Sequence, residues 1–153
     1  MAANARKSKK RSAASSPSRP KALVFFTDAN LGRRVVPDAL RAAGEKVRVH
    51  DDCFAPGTQD QVWLRAVGEK GWVLLTKDSR IRYRRNEMEA LLSSGTRSFV
   101  LVSSNLPGSE MAKIFVKALP GMKKLCAALL APFIAHIHHD GKVVLMKTMR
   151  KSG

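Results

Sequence analysis

The sequence predicts one three-layer α/β domain, with a mainly parallel sheet flanked by helices and a β-hairpin near the C-terminus. Three observations lead to this fold class. Short, continuous apolar runs, typical of strands buried on both faces, recur along the chain. Segments with helical spacing of apolar residues lie between them, which indicates βαβ units. The chain has 153 residues, 44% of them hydrophobic, which is enough for one sizeable core and short for two.

The first apolar run covers residues 22–26 and predicts a buried strand. Apolar residues at helical spacing follow and stop at Gly44, a natural helix end, although Pro37 within this stretch could kink the helix. Val47 and Val49 then alternate with charged residues. This alternation predicts a short, half-exposed second strand.

The middle of the chain repeats the pattern. Thr58 and Gln61 form a Thr-x-x-Gln capping box that should open a helix reaching about residue 70. Residues 72–76 are the next buried-strand run, and a basic, partly helical stretch follows over residues 78–93. Residues 99–102 are the third such run.

The C-terminal third is expected to contain helices and a hairpin. Residues 109–131 have a helical pattern that should be broken into two pieces at Pro120 and Gly121. Residues 133–147 alternate around an Asp-Gly pair at 140–141, which is a strong hairpin turn signal.

The charge is strongly unbalanced. Twenty-eight Lys and Arg against twelve Asp and Glu give +16, which favours a polyanionic partner, with nucleic acid as the leading candidate. Residues 1–21 hold seven of these basic residues and no acid, so the remainder still carries +9. Residues 1–20 show no hydrophobic period and are expected to be a disordered basic arm, followed by the domain over residues 21–150. The arm either adds non-specific phosphate contacts or is only a solvated tail.

Several classes of protein do not fit. No apolar run approaches the roughly 20 residues of a membrane-spanning helix, and the N-terminus lacks the apolar block of a secretory signal. A cytoplasmic protein without a membrane partner is therefore expected. Cys53 and Cys126 match no metal or redox spacing. Phosphate-binding glycine loops and nucleophile elbows are missing, which argues against P-loop and serine-hydrolase chemistry.

Carboxylates follow two of the predicted strands. Asp28 comes just after the first strand and Asp78 just after the strand over residues 72–76. In parallel sheets, ligands bind outside the carboxyl ends of the strands. Asp60 can join them, because it lies on the helix face of Trp63, which should rest on the sheet. Three carboxylates in one place suit Mg²⁺ or Mn²⁺. The alternative is that each aspartate only caps a helix or turn.

Basic residues surround the predicted carboxylate site. They could hold the phosphates of a substrate, with Tyr83 stacking on a base, or they could form a solvated helix face. The candidates for substrate binding are Arg33, Arg34, Lys77, Arg80, Arg82, Arg84 and Arg85.

The order of these features resembles the PIN-like nucleases, specifically the small branch related to toxin–antitoxin ribonucleases. The resemblance covers about residues 22–105. It rests on Phe-Phe-Thr-Asp-Ala-Asn-Leu at 25–31, on an acid early in the second helix, and on Gly-Trp-Val-Leu-Leu-Thr-Lys-Asp at 71–78. The resemblance implies a three-layer PIN-like fold and a metal-dependent ribonuclease.

The resemblance also implies roles for individual residues. Asp28, Asp60 and Asp78 would be the catalytic carboxylates that bind Mg²⁺ or Mn²⁺. Supporting roles fall to Asn30 as an amide facing the site or the substrate, to Thr76 as the side chain that orients it, and to Glu87. One departure stands out, because many relatives carry a second acid where this chain has Arg80. Glu87 or Asp52 could replace that acid.

The leading hypothesis is thus an endoribonuclease that hydrolyses RNA phosphodiester bonds and acts as the toxin of a toxin–antitoxin pair. The expected partners are RNA, an antitoxin protein by family likeness, and a second copy of the chain. The alternative is a non-catalytic RNA-binding protein with a degenerate metal site.

Overall fold

The protein is described here by a computed structural model. The structure describes residues 22–78, 85–102 and 105–148, without the side chains of residue 78 and residues 85–87. The predicted basic arm, residues 1–20, lies outside the described residues, so the arm and the domain limits stay predictions.

The described residues form six strands and five α-helices. The strands are β1 (Val24–Thr27), β2 (Lys46–Val49), β3 (Val73–Asp78), β4 (Arg97–Val102), β5 (Phe133–Ile137) and β6 (Val143–Thr148). The helices are α1 (Val35–Ala42), α2 (His50–Cys53), α3 (Asp60–Lys70), α4 (Arg85–Ser93) and α5 (Gly108–Ala128), and a 3₁₀ helix covers Ala29–Leu31. The α/β class predicted from the sequence is confirmed.

The strands form one sheet in the order β2-β1-β3-β4-β5-β6. Every neighbouring pair is parallel except β5 and β6, which form the predicted antiparallel hairpin. In the register of β1 with β3, Thr27 lies opposite Leu75. The residues after β1 and the last residues of β3 therefore share one edge of the sheet, as the sequence predicted.

Helices cover both faces of the sheet. Phe25 belongs to the core under α1 and α5, whereas Phe26 belongs to the core under α3 and α4. Both rings are fully buried, as expected for a strand covered on both sides. Because side chains alternate along a strand, this pair fixes which face each later residue of β1 occupies.

The capping-box prediction at Thr58 is wrong. Helix α3 begins at Asp60, with Gln59 as its N-cap residue and no side-chain cap hydrogen bond. The Thr58 hydroxyl instead donates to the carbonyl of Ala55, at 2.6 Å, inside the preceding turn. The Thr58 hydroxyl therefore stabilises a local turn and does not cap the helix.

The predicted break at Pro120 and Gly121 is also wrong, because α5 continues through both residues. Buried side chains lie on both sides of the proline, with Leu119 before it and Met122 after it. Their shared packing on the sheet outweighs the hydrogen bond that proline cannot donate. Gly121 has a packing role, since a Cβ there would lie 3.0 Å from Cγ2 of Val143 in β6.

Pro37 does not kink α1, because it lies in the first turn, where no helical partner is required for its missing amide. Cys53 and Cys126 are both free thiols. Among the described residues, no helix is both long enough and apolar enough to cross a membrane.

Candidate functional site

Asp28 lies directly after β1 at the carboxyl edge of the sheet. Its backbone N–H donates to the carbonyl of Leu75 in β3, at 3.0 Å, which prolongs the pairing of the two strands. Its carboxylate Oδ2 accepts a hydrogen bond of 2.8 Å from the hydroxyl of Thr76. Thr76 itself is 1% exposed. The parallel register therefore places a buried donor beside the first predicted site carboxylate.

The environment of Asp28 disfavours its negative charge. Burial raises the pKa of this carboxyl above its ordinary value. The Thr76 hydrogen bond acts in the opposite direction, as do the backbone N–H groups of Ala29 and Asn30 and the nearby His50, but they do not outweigh burial. A carboxylate in this situation gains from a neighbouring cation.

Asn30 completes a small network around Thr76. Its Oδ1 lies 3.3 Å from the same Thr76 hydroxyl, and its Nδ2 donates to the backbone carbonyl of Lys77, at 3.0 Å. The amide therefore bridges the 3₁₀ helix and the end of β3. These contacts bring Asn30 and Thr76 together with Asp28, as the sequence predicted.

Asp60 opens α3 and is held by an indole. Trp63 Nε1 donates to Asp60 Oδ1, at 3.1 Å, one helical turn along. Trp63 is 5% exposed, whereas Asp60 is exposed. One carboxylate oxygen is thus fixed by a buried ring, and Oδ2 has no side-chain donor among the described contacts.

An aromatic cluster links Asp60 to the strand that carries Asp28. The ring of Trp63 lies 5.6 Å from that of Phe26. It also lies 4.9 Å from the ring of His50, and these two rings meet edge-on. Phe26 and Asp28 share a face, because they are two residues apart in extended chain. Asp28 and Asp60 therefore lie on the same side of the sheet, the side that α3 covers.

For Asp78, the third predicted ligand, the structure describes the backbone but not the side chain. Asp78 is the last residue of β3, opposite Val102 in β4 and two residues beyond Thr76. Within residues 22–78, 85–102 and 105–148, no three described His, Cys, Asp or Glu side chains form a metal-binding group. The side chain of Asp78 lies outside the described ones, so the three-carboxylate set stays a prediction.

The predicted substrate-binding residues are only partly covered. Arg80, Arg82 and Arg84 lie outside the described residues, as do the side chains of Arg85 and Glu87. Arg34 is exposed, and Lys77 is half-buried with its carbonyl held by Asn30. Their roles toward a substrate stay predictions.

Arg33 has carboxylate neighbours. Its guanidinium lies 3.6 Å from Asp51 Oδ2 and 3.8 Å from Asp52 Oδ1, in exposed ion pairs. Such pairs are worth little in water. They place the Arg33 guanidinium beside α2, the short helix to which Asp51 and Asp52 belong.

His50 was missed by the sequence reasoning. It directly follows β2, which pairs with β1, so the same rule that selected Asp28 points to it. Its Nδ1 lies 3.0 Å from Asp51 Oδ1, and its ring contacts the rings of Phe26, Phe54 and Trp63. The histidine was overlooked because only carboxylates were sought at the strand ends.

Comparison with known proteins adds two findings. A family model described as "PIN like domain" matches residues 23–103, from the start of β1 to just past β4. The chain is also 27% identical over 118 residues to a Mycobacterium tuberculosis protein named "Putative ribonuclease VapC45", covering 74% of this chain and 85% of that relative. No solved structure matches the chain.

Proposed function

Because the chain belongs to the PIN-like domain family, we propose that it is an endoribonuclease that uses Mg²⁺ or Mn²⁺ to hydrolyse RNA phosphodiester bonds. The observation that carries the proposal is the half-buried Asp28 carboxylate. Its pKa is raised by burial, and it is held by Thr76 at the ligand-binding edge of the sheet. The name of the mycobacterial relative supports the substrate class.

The donor chemistry of the site suits a hard divalent cation. Carboxylate oxygens are the preferred ligands of Mg²⁺ and Mn²⁺. Asp28 and Asp60 lie over one sheet face, each with one oxygen fixed by a neighbour. Together with Asp78 they would hold the ion. Bound there, the metal supplies positive charge to the reacting phosphate and lowers the pKa of an attacking water.

The chain's own residues then have defined tasks. Thr76 and Asn30 keep Asp28 oriented, and the indole of Trp63 keeps Asp60 oriented, so the carboxylates need not reorganise when RNA binds. Arg34 and the arginines after β3 would hold phosphates on either side of the broken bond. In hydrolysis, water oxygen bonds to phosphorus as an ester oxygen leaves.

The test uses the purified full chain with single-stranded and structured RNA in Mg²⁺, in Mn²⁺ and in EDTA. The double variant Asp28→Asn, Asp78→Asn should lose about 100-fold or more in cleavage rate, since electrostatic groups at such sites contribute on that scale. Asp38→Asn is the matched control, because Asp38 is an exposed α1 carboxylate paired with Arg41. It should cleave like the wild-type chain.

Two outcomes would overturn the enzymatic proposal. Cleavage that persists in EDTA or in the double variant points to a contaminant or another site. RNA binding without cleavage in either metal supports instead the non-catalytic RNA-binding protein, which the Arg80 departure favours.

The proposal extends to a toxin role in the cytoplasm, with an antitoxin partner and a second copy of the chain as further partners. The family membership and the mycobacterial relative support the toxin role. Induced expression should arrest growth with the wild-type chain but not with the double variant. Arrest by both would point to bulk charge.

A further inference from the structure

A pocket lies at the opposite edge of the sheet from the carboxylates. Its volume is about 680 Å³, within the usual range of ligand sites. Residues at the starts of β1 to β4 line it, together with Cys126 of α5. The strand-start residues include Val24, Lys46, Trp72 and Arg97. The proposed nuclease function assigns no role to this pocket.

The pocket carries an excess of positive charge. Four basic side chains line it, and Glu45 is the single carboxylate among the described lining residues. Glu45 is already paired with Lys123, and its side chain is only 10% exposed. Three cations are left without a carboxylate partner among the described ion pairs, namely Lys46, Lys70 and Arg97.

Helix ends account for only part of this charge. Helices α1, α3 and α5 end beside the pocket, since Gly44 and Gly71 follow the first two and the last turn of α5 also lines it. Each carboxyl end contributes about half a negative charge. Together they offset about one and a half of the three cations. The remaining excess favours an anionic ligand.

Two of the basic groups are held in place. Arg97 Nη2 donates to the carbonyl of Gly71, at 3.2 Å, and Lys70 Nζ lies 5.4 Å from the ring centroid of Trp72. Both contacts leave donors available, because a guanidinium has five N–H groups and an ammonium has three. The pocket is therefore prepared to donate hydrogen bonds to a ligand.

The spacing of the cations indicates more than one anionic group. Lys46 is the first residue of β2 and Arg97 is the first residue of β4, and β1 and β3 lie between these two strands. Three strand spacings separate their backbones by about 14 Å. We propose that this pocket binds a ligand with two or more linked phosphate groups, either a free diphosphate or consecutive phosphates of an RNA strand.

Cys126 gives the test a local probe, because it lines the pocket and the second thiol, Cys53, lies in α2. In the full chain carrying Cys53→Ala, alkylation of Cys126 by neutral iodoacetamide is followed by mass spectrometry. Inorganic pyrophosphate and a short single-stranded RNA are added separately, in EDTA. A bound polyphosphate should slow alkylation by about threefold or more, since it covers the pocket that the reagent must enter.

Affinity is then measured by calorimetry for both ligands. The variant Lys46→Ser, Lys70→Ser should weaken binding about tenfold, because charge-assisted hydrogen bonds to phosphate are lost, and it should lose Cys126 protection. The control variant Lys113→Ser, Lys142→Ser removes the same charge from exposed positions outside the pocket. It should retain both affinity and protection.

The arms separate the two sources of phosphate. Protection by pyrophosphate alone assigns the pocket to a small diphosphate ligand, and protection by RNA as well assigns it to the RNA backbone. Equal loss of affinity in both lysine variants, or binding without Cys126 protection, would overturn the proposal. The lysines would then only compensate helix ends, and their replacement would lower the unfolding temperature without changing pocket occupancy.

Discussion

At the scale of single residues, Asp28 shows how a carboxylate at a strand end can lower stability. Its side chain is half-buried, and the hydrogen bond from Thr76 only partly offsets the loss of water. The charged form is therefore less favourable in the folded chain than in water. Keeping a charge in such a place is expected where that charge later meets a cation or a substrate.

The raised pKa of Asp28 predicts a pH-dependent effect of Asp28→Asn on unfolding. In the folded chain this pKa lies above the ordinary 3.8. Ionisation therefore costs the folded state more than the unfolded one, and stability is lost as pH rises from the unfolded pKa through the folded pKa. Above that window in EDTA, the variant should unfold a few degrees higher than wild type, at about 2–4 °C per kcal/mol.

The measurement is thermal unfolding between pH 4 and pH 8. The advantage of Asp28→Asn should shrink as pH falls, because the wild-type carboxyl becomes protonated. Asp38→Asn serves as the control, since it removes a carboxylate whose side chain is 67% exposed. A variant less stable than wild type at pH 8 would contradict the account of Asp28.

The site itself was only partly accessible from the sequence at this scale. Asp28, Asn30 and Thr76 could be selected because each lies at the end of a recognisable strand. The Thr76 hydroxyl lies within hydrogen-bond distance of both Asp28 and Asn30, and this depends on the register of β1 and β3. Register is a long-range property, and no local pattern around residue 28 contains it.

At the scale of elements, α3 and β1 are joined through aromatic rings. Trp63 packs on Phe26 and donates its N–H to Asp60. The ring therefore stabilises the helix–sheet contact and also orients a predicted metal ligand. These two tasks can be separated by a substitution that keeps the ring but removes the donor.

Trp63→Phe should weaken Mn²⁺ binding about fivefold, because a net hydrogen bond is worth about 1 kcal/mol. Calorimetry on the full chain measures the affinity. Trp72→Phe is the matched control, since Trp72 also packs on Phe26, at 5.8 Å, but makes no described contact with Asp60. It should bind Mn²⁺ like wild type. Equal weakening in both variants would show that Trp63 acts only through packing.

Elements also show where sequence rules failed. Pro120 was expected to divide α5, but the helix continues because buried residues on either side pack on the same sheet face. Thr58 was expected to cap α3, but its hydroxyl donates within the preceding turn. In both places a short-range preference lost to a contact that the local sequence does not reveal.

At the scale of the whole molecule, the charge of +16 favours a polyanionic partner and has little bearing on how the chain folds. Residues 1–20 contribute six of the basic residues. If the arm contacts phosphates, it adds to the salt dependence of RNA binding without adding specificity.

Deleting residues 1–20 should therefore reduce the slope of log affinity against log salt by at least about 0.7, the value for one phosphate contact with a single strand. Fluorescence anisotropy with labelled RNA over a series of salt concentrations measures the slope. The unfolding temperature should stay the same within about 1 °C. An unchanged slope would assign the arm the role of a solvated tail.

The sequence by itself determined the α/β class, the alternation of strands and helices, and the edge of the sheet where Asp28 and Asp78 end their strands. These features follow from local patterns, since apolar runs and turn residues act over a few positions. Tertiary structure alone decided that Thr76 meets Asp28 and that cations from separate strands line a pocket at the far edge. Each of these contacts joins distant parts of the chain, so only strand order and register could create it.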